Sequence, residues 1–555
     1  MLSANFPLPG TEHGKRILTA VIEQRAKASP ADPWLSMPID DKAISRGFKD
    51  LTFWDLNNAA NHAAQWLTQN LPPGDPFQCF AYAGPKDLRY PILAIAAAKV
   101  QKVMILPSPL VTPEAQLQIL NKKSCTLYLR PGETADSVAE ILKGTSNISS
   151  ICVPTLEAFL NDTKASPVNY AKSWADGKDD PWLVFHTSGT TGMALIKSKM
   201  TENWNNKEIG NPKPITYSHD MMAGADIAAS LSNIEESHIH QYAQRRWYTP
   251  LPSLHFVGML LILSMTTFVD MVAVIGPPGV QPSPELIIEV LSSGRAQGVL
   301  LPPVLIDAMC LSPGGLQALR DMEFIHYAGA PLSAKSAELL SQHSQVVSCV
   351  GSTEAGGYFS IINPDAWDYV AFQKHAGVAL EKRLGDLHEL VFIRDPSCRM
   401  QQIFSVYPDQ DRFETKDLLL EHPTRKDLWK FIGRIDDYVC LSHGEGLHAS
   451  LLEPEITAHP GVNNSIVGGN GRQSPVLLVE LIKDTEGDLP REQLLESLLP
   501  YVERLNSKCH ASVQISPDKI IFAPKDKPFV TTIKGSVARL QTLQAYEDEI
   551  AALYT

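Results

Sequence analysis

The sequence predicts an α/β fold: a large N-terminal domain of mostly parallel sheets and helices, followed by a small α+β C-terminal domain. Three observations predict it. Short apolar runs, each closed by glycine, proline or a hydroxyl residue, alternate with segments at helical spacing. The chain has 555 residues, 44% of them hydrophobic and 20% charged, which is enough for more than one core. After "DLWKFIGRIDDYVCL" the text changes to a shorter set of strands and one helix, which puts a domain boundary near Asp436.

The elements follow in order. "TFWDLNNAANHAAQWL" (52–67) carries apolar residues near helical spacing, and "LRYPILAIAAAKV" (88–100) reads as a buried helix before the strand "VMILP". The runs "PWLVFHT", "GVLLPP", "FIHYAG", "QVVSCVG" and "HELVFIR" read as further strands. "FVGMLLILSMTTFVDMVAVIG" (256–276) has nearly the length of a membrane span, but it carries Asp270 and lies between polar segments. A buried helix running into a core strand is expected there. In the last part, "VLLVELI" and "DKIIFAP" read as strands and "REQLLESLLPYVERLN" as a helix.

Composition excludes several classes. A formal charge of −13 with no concentrated basic face speaks against a nucleic-acid partner. Eight scattered cysteines without a C-x-x-C pair speak against a disulfide framework or a zinc site, and point to a reducing compartment such as the cytoplasm. "MLSANFPLPG" lacks the pattern of a secretory signal, and "AALYT" is not a peroxisomal address. No membrane partner is expected.

The chemistry begins at "HTSGTTG", which follows the strand "PWLVF". Thr187, Ser188, Gly189, Thr190, Thr191 and Gly192 place four hydroxyl residues and two glycines in six positions. Glycine lets backbone approach phosphate oxygens, and hydroxyls with exposed N–H groups supply uncharged donors. The spacing differs from the P-loop G-x-x-x-x-G-K-[ST]. Further motifs follow in order: "YAGAPLS" (327–333), "GSTEAGG" (351–357), "FETKDLL" (413–419), "GRIDD" (433–437) and "TIKGSVARL" (532–540).

Together these resemble the ANL superfamily of adenylate-forming enzymes, and the resemblance covers essentially the whole chain. "GRIDDYVCLSHGEGL", "HPGVNNSIVGGNGRQSPVLLVEL" and "TTIKGSVARLQTLQAYEDEIAALY" resemble more closely the adenylation domains of fungal synthetase-like carboxylic acid reductases. Those relatives usually continue into carrier and reductase domains, whereas this text stops where a carrier would begin. The resemblance implies activation of a carboxylic acid with ATP and Mg²⁺ to an acyl-adenylate, then transfer to coenzyme A or to the phosphopantetheine of a separate carrier protein. A truncated or inactive remnant that only binds nucleotide or acid is the alternative.

Residue by residue, the resemblance implies that Thr187 to Gly192 wrap the β- and γ-phosphates with Lys213 beside them. Glu354 holds Mg²⁺, a hard cation suited to carboxylate and phosphate oxygens, and Thr353 touches the α-phosphate, with Gly351 and Ser352 also binding the nucleotide. Gly329, Ala330 and Pro331 wall the adenine. Asp417 accepts from the ribose hydroxyls and Arg434 supports ribose or phosphate. Lys534 bridges the acid and the α-phosphate as charge develops. Asp436 is the hinge between an AMP-binding domain at 1–435 and a mobile lid at 436–555. "PLPSLHFVGM" resembles the acyl-pocket segment, with His255, Phe256 and Gly258. His255 either gates that pocket or sits as a satisfied core histidine. No aspartate stands there to pair with an α-ammonium group, so an aryl, α-keto or aliphatic acid is expected.

Four departures stand out. Val350 stands where relatives usually carry the aromatic that stacks on adenine, Gly446 stands where the reductase group commonly has a lysine, and the usual carrier domain is expected to be absent. The fourth is an insert. Removing Met193 to Gly210, 18 residues, joins "HTSGTTG" to "NPKPITYSH", which restores the family's loop and following strand. The excised text is expected to be a translated intron or a real loop extension, which would still bind phosphate if its ends stay adjacent. In the second case Lys197 or Lys199 would stand in for Lys213.

Overall fold

Each apolar run between glycine and proline breaks becomes a strand, and most pair in parallel. The computed structural model describes residues 13–109, 112–187, 213–230, 237–329, 331–358, 360–363, 365–384, 386–398, 400–442, 446–482, 491–531 and 537–554. One sheet has six strands, in the order Ser149–Cys152, Leu127–Arg130, Cys79–Tyr82, Val103–Ile105, Pro181–His186 and Pro214–Ser218. All its pairs are parallel except the last, where the strand after the phosphate-loop motif turns back antiparallel.

A second sheet has seven strands: Gln345–Cys349, Phe324–Ala328, Gly298–Leu301, Arg246–Tyr248, Val272–Val274, Pro33–Pro38 and Phe48–Thr52. Its only antiparallel pair among the described residues joins the last two. The core beside both sheets holds Trp34, Trp182 and Trp247, all buried. The predicted first amphipathic helix spans Phe53–Asn70 and starts in a capping box, with Thr52 and Asp55 satisfying each other's backbone N–H groups.

The long apolar stretch splits as its glycine and aspartate suggest. Helix Phe256–Met259 runs into a π-helical turn at Leu260–Met265 and then helix Thr266–Val269. Asp270 stops the helix in the left-handed conformation, at φ 56°, and its carboxylate meets Arg25 Nη1 at 2.6 Å. The chain then enters strand Val272–Val274. Among the described residues no helix is long and apolar enough to cross a membrane. The seven cysteines with described side chains are free thiols.

The described residues form two compact units, one of 13–187, 213–378 and 392–413, the other of 379–391 and 414–554. The second therefore takes in residues on the N-terminal side of Asp436 as well. Its three-stranded sheet pairs Val462–Gly468 antiparallel with Val476–Leu481, and the latter parallel with Ile520–Phe522. Alternation sorts the side chains: Val467, Leu477 and Val479 join one apolar cluster with Leu498, Val502 and Leu505 of helix Arg491–Ser507. Ile466, Val476 and Leu478 join another, with Tyr546 between the last two helices and Ile550 in the last.

Candidate active site

The phosphate-loop motif begins where strand Pro181–His186 ends, with His186 opposite Pro214. The Thr187 N–H donates to the Lys213 carbonyl at 3.1 Å, and the Lys213 N–H donates to Thr187 Oγ1 at 3.1 Å. Both ends of the loop are thereby held side by side. Ser188 to Gly192 and the insert from Met193 to Gly210 lie outside the described residues.

His186 props this junction. Its Nε2 faces the Ser108 N–H at 3.0 Å and must accept, so Nδ1 carries the proton and donates to the Thr187 carbonyl at 3.0 Å. Burial lowers its pKa, partly countered by that carbonyl bond, which keeps the ring neutral as the two bonds require.

The "GSTEAGG" motif folds into a small antiparallel hairpin. Gly351 pairs with Gly357 and Ser352 with Gly356, which puts Thr353, Glu354 and Ala355 at the tip. The glycines are needed there: Gly356 sits at φ 72°, and a Cβ on Gly351 would lie 2.4 Å from the Gly356 carbonyl. The Ala355 N–H donates to Ser352 Oγ at 3.1 Å, and the Tyr217 hydroxyl donates to the Thr353 carbonyl at 2.9 Å. Burial first, then the Glu354 charge, push the Tyr407 phenol up to about 12 and raise Tyr217 further.

Strand Phe324–Ala328 lies parallel to Gln345–Cys349, with Ala328 opposite Cys349. Their carboxyl ends therefore deliver Gly329 and Val350 to one edge, the position where open α/β sheets bind ligands. Gly329 takes φ 95°, which a residue with Cβ rarely adopts, and Pro331 follows. Ala330 lies outside the described residues. Val350 is half-buried.

In the acyl segment, His255 is the half-buried residue before helix Phe256–Met259. A Cβ on Gly258 would stand 2.3 Å from the Pro252 carbonyl oxygen, so the glycine is required by loop-to-helix packing. The Phe256 ring lies 6.3 Å from that of Tyr217. Tyr217 thus meets two of the motifs at once, the hairpin at Thr353 and the acyl segment at Phe256. The sequence marks it only as an inward position of an alternating strand, and nothing in the text signals the hydroxyl's role.

In the second unit, Asp417 and Arg434 face each other across paired strands, with Nη1 to Oδ1 at 3.3 Å. The Arg434 N–H donates to Asp437 Oδ2 at 3.1 Å, and Asp437 Oδ1 meets Arg539 Nε at 3.0 Å. Arg539 also pairs with Glu453 and donates to the Val467 carbonyl. Asp436 lies in the turn Ile435–Asp437, its side chain outside the described residues. Lys534 is outside them too, though Thr531 and Val537 on either side form a bridge. Gly446 pairs with Cys440, and a Cβ there would stand 2.4 Å from the Val439 carbonyl oxygen and 2.8 Å from the Tyr438 ring, leaving no room for a lysine unless backbone and ring both move.

At the hairpin tip Glu354 offers one half-buried carboxylate, a hard oxygen donor of the kind Mg²⁺ takes beside nucleotide phosphates. Among the described residues no group of three or more His, Cys, Asp or Glu side chains gathers as a cage. A single carboxylate such as Glu354 plus phosphate oxygens and water is how this small, strongly hydrated cation is usually held.

The model of the AMP-binding enzyme family matches residues 25–194 and 210–383, and that of the AMP-binding enzyme C-terminal domain matches 436–555. The carboxylic acid reductase of Neurospora crassa is 27% identical over 98% of this chain and 51% of its own length. The adenylate-forming reductase Nps11 of Serpula lacrymans is 24% identical over 98% of this chain and 49% of its own. The chain thus spans about half the length of these curated relatives. Among solved structures, ATP-bound MatB from Rhodopseudomonas palustris superposes with TM-score 0.70 at 17% identity, covering 96% of this chain and 99% of that one. The anthranilate CoA ligase AuaEII with anthranoyl-AMP superposes with TM-score 0.69 at 15% identity, covering 98% and 99%. These likenesses bear out the fold, and the two matched models together make the chain a member of the family of AMP-binding enzymes.

Proposed function

We propose that this chain activates a carboxylic acid with ATP and passes the acyl group to a thiol. The observation that carries the reading is the convergence of the clasped Thr187–Lys213 junction and the Thr353–Glu354 turn, joined through Tyr217. In the first step a carboxylate oxygen attacks the α-phosphorus, the bond to the β-phosphate bridge breaks, and pyrophosphate leaves. Charge grows on the phosphoryl oxygens, where Thr353, the loop donors from Ser188 to Gly192, Lys213 and Lys534 would face it. Mg²⁺, held by Glu354, supplies neutralisation of the phosphate charge when bound. Gly329, Ala330, Pro331, Gly351 and Ser352 would seat the adenine and α-phosphate, and Asp417 and Arg434 the ribose. In the second step a thiolate attacks the acyl carbon and AMP leaves.

The acid is aryl, α-keto or aliphatic, because Leu254, His255 and Phe256 offer no carboxylate for an α-ammonium group. The thiol belongs to coenzyme A or to a phosphopantetheine on a separate carrier protein, in secondary metabolism and in the cytoplasm. Asp436 serves as the hinge of the 436–555 lid. The gap in the family match between residues 194 and 210 supports reading Met193 to Gly210 as an insert, and sequencing the transcript tests its origin.

Acid-dependent exchange of labelled pyrophosphate into ATP, over a panel of aryl, keto and fatty acids, tests the function. Exchange stimulated by one acid class is expected, and none with any acid would overturn it. A second reading, activation without onward transfer, is favoured by the tight packing of Tyr438 over Gly446 where reductase relatives carry a lysine. Exchange without thioester on coenzyme A or a carrier would select it.

A further inference from the structure

The tip of the "GSTEAGG" hairpin is poorly held by its own backbone. Its ladder consists of two residue pairs, Gly351 with Gly357 and Ser352 with Gly356, and so short a ribbon is marginal alone. Three of these four residues are glycines, which lose the most conformational freedom on ordering. Thr353 and Glu354 sit beyond the last pair, so the ladder does not satisfy the Thr353 carbonyl.

The Tyr217 hydroxyl does, at 2.9 Å. Tyr217 is 2% exposed, its ring edge-on to Phe185 at 4.9 Å and tilted against Phe256 at 6.3 Å. Phe185 precedes the phosphate-loop junction on one strand, and Tyr217 follows it on the partner strand. A phenylalanine would fill the same apolar space, so the hydroxyl is not needed for packing. Burying a hydroxyl is unfavourable unless it is bonded, and here its bond goes to the one turn that presents Thr353 and Glu354. The same side chain is thus anchored in the pair of strands that flanks the Thr187–Lys213 junction and bonded to the Thr353–Glu354 turn.

We infer that Tyr217 is a positioning residue: its hydroxyl fixes the Thr353–Glu354 turn relative to the phosphate-loop junction, so that both are set before the nucleotide arrives. The inference rests on the proposed adenylation reading for its catalytic consequence, and on the ligand-free protein for its structural one. Pre-set donors need no rearrangement as charge develops, so loosening the turn should act on turnover more than on binding of the acid.

Tyr217→Phe in the full chain tests this by two measurements. In the ligand-free protein, amide hydrogen exchange over residues 351–358 is expected to become roughly 2- to 10-fold faster, the equivalent of one neutral hydrogen bond, while residues 181–186 keep their wild-type rate. In acid-dependent pyrophosphate exchange, kcat is expected to fall by a similar factor with KM for the acid unchanged. Tyr217→Leu, which removes the ring, should in addition speed exchange at 181–186. Wild-type exchange rates at 351–358 in Tyr217→Phe would overturn the inference, as would an equal acceleration at 181–186, which marks general loosening. An unchanged kcat despite a loosened turn would also overturn it. A wild-type protein inactive with every acid would count against adenylation alone, and the ligand-free hydrogen exchange would still decide the positioning role.

Discussion

Thr187 and Lys213 clasp each other, the Lys213 N–H on Thr187 Oγ1 and the Thr187 N–H on the Lys213 carbonyl, both at 3.1 Å. The chain between them begins and ends at the same place, whatever its length. Deleting Met193 to Gly210 is therefore expected to leave the fold intact and to add about 1 kcal/mol of stability through a shorter loop to close. Thermal unfolding of the two forms checks this. A midpoint several degrees lower in the deletion would show that the 18 residues contribute packing.

Gly258 meets backbone, not a yielding side chain: the Pro252 and Leu251 carbonyl oxygens would stand 2.3 and 2.8 Å from an added Cβ. Gly258→Ala is expected to cost about 1–3 kcal/mol, because the loop before the helix must shift to admit it. Urea unfolding measures the loss. A variant as stable as wild type that changes only acid preference would assign the glycine to the pocket instead of to packing.

The fold was legible because apolar runs and their glycine and proline breaks are local, and each predicted strand from "VMILP" to "DKIIFAP" formed. The order of motifs was legible for the same reason, and the structure carries Thr353 and Glu354 on a hairpin tip and Asp417 and Arg434 on paired strands. What the text did not reveal depends on contacts between distant segments. Tyr217 reaches Thr353 across 136 positions, and Ser108 reaches His186 across 78. Nor does a sequence show that Gly446 lies beneath Tyr438 or that Gly258 abuts Pro252, since both follow from how neighbouring backbones approach.

Arg539 joins Asp437 to Glu453 beside the Val467 strand, with side-chain exposures of 20% for Arg539 and 14% for Glu453. Burial raises the Glu453 pKa against the pull of Arg539 and the Val467 N–H. Arg539→Leu leaves that carboxylate largely buried without its cation, an expected loss of about 3 kcal/mol in the second unit. Adding Glu453→Leu should restore part of it, since the more buried of the two carboxylates left without Arg539 is then gone, while Asp437 keeps the Arg434 N–H. Hydrogen exchange in strands 462–468 and 476–481 reads the loss where it occurs. Equal protection in wild type and Arg539→Leu would show that the pair contributes nothing.

His219 gives the protein an acid-sensitive stability. It is 2% exposed, stacked on Trp182 at 4.8 Å and edge-on to Tyr170 at 5.2 Å, and its Nδ1 has no hydrogen-bond partner among the described residues. Burial, with a smaller contribution from the Lys172 charge, lowers its pKa to about 3. The unfolded chain takes up a proton near pH 6.5 that the folded chain refuses, so stability falls as pH drops below 6.5 and the loss levels off only near 3. Each such group contributes a slope of up to about 1.4 kcal/mol per pH unit. His186, His238 and His326 are lowered in the same direction. Carboxylates with raised pKa, Asp270 and Glu453, act oppositely, holding protons in the folded state. His219→Phe keeps the stack on Trp182 and removes one titration. Urea unfolding at pH 7, 6 and 5 should show wild-type stability falling with pH and the variant falling by about one proton's slope less. Parallel curves for the two proteins would show that His219 is protonated in the folded state as readily as in the unfolded chain.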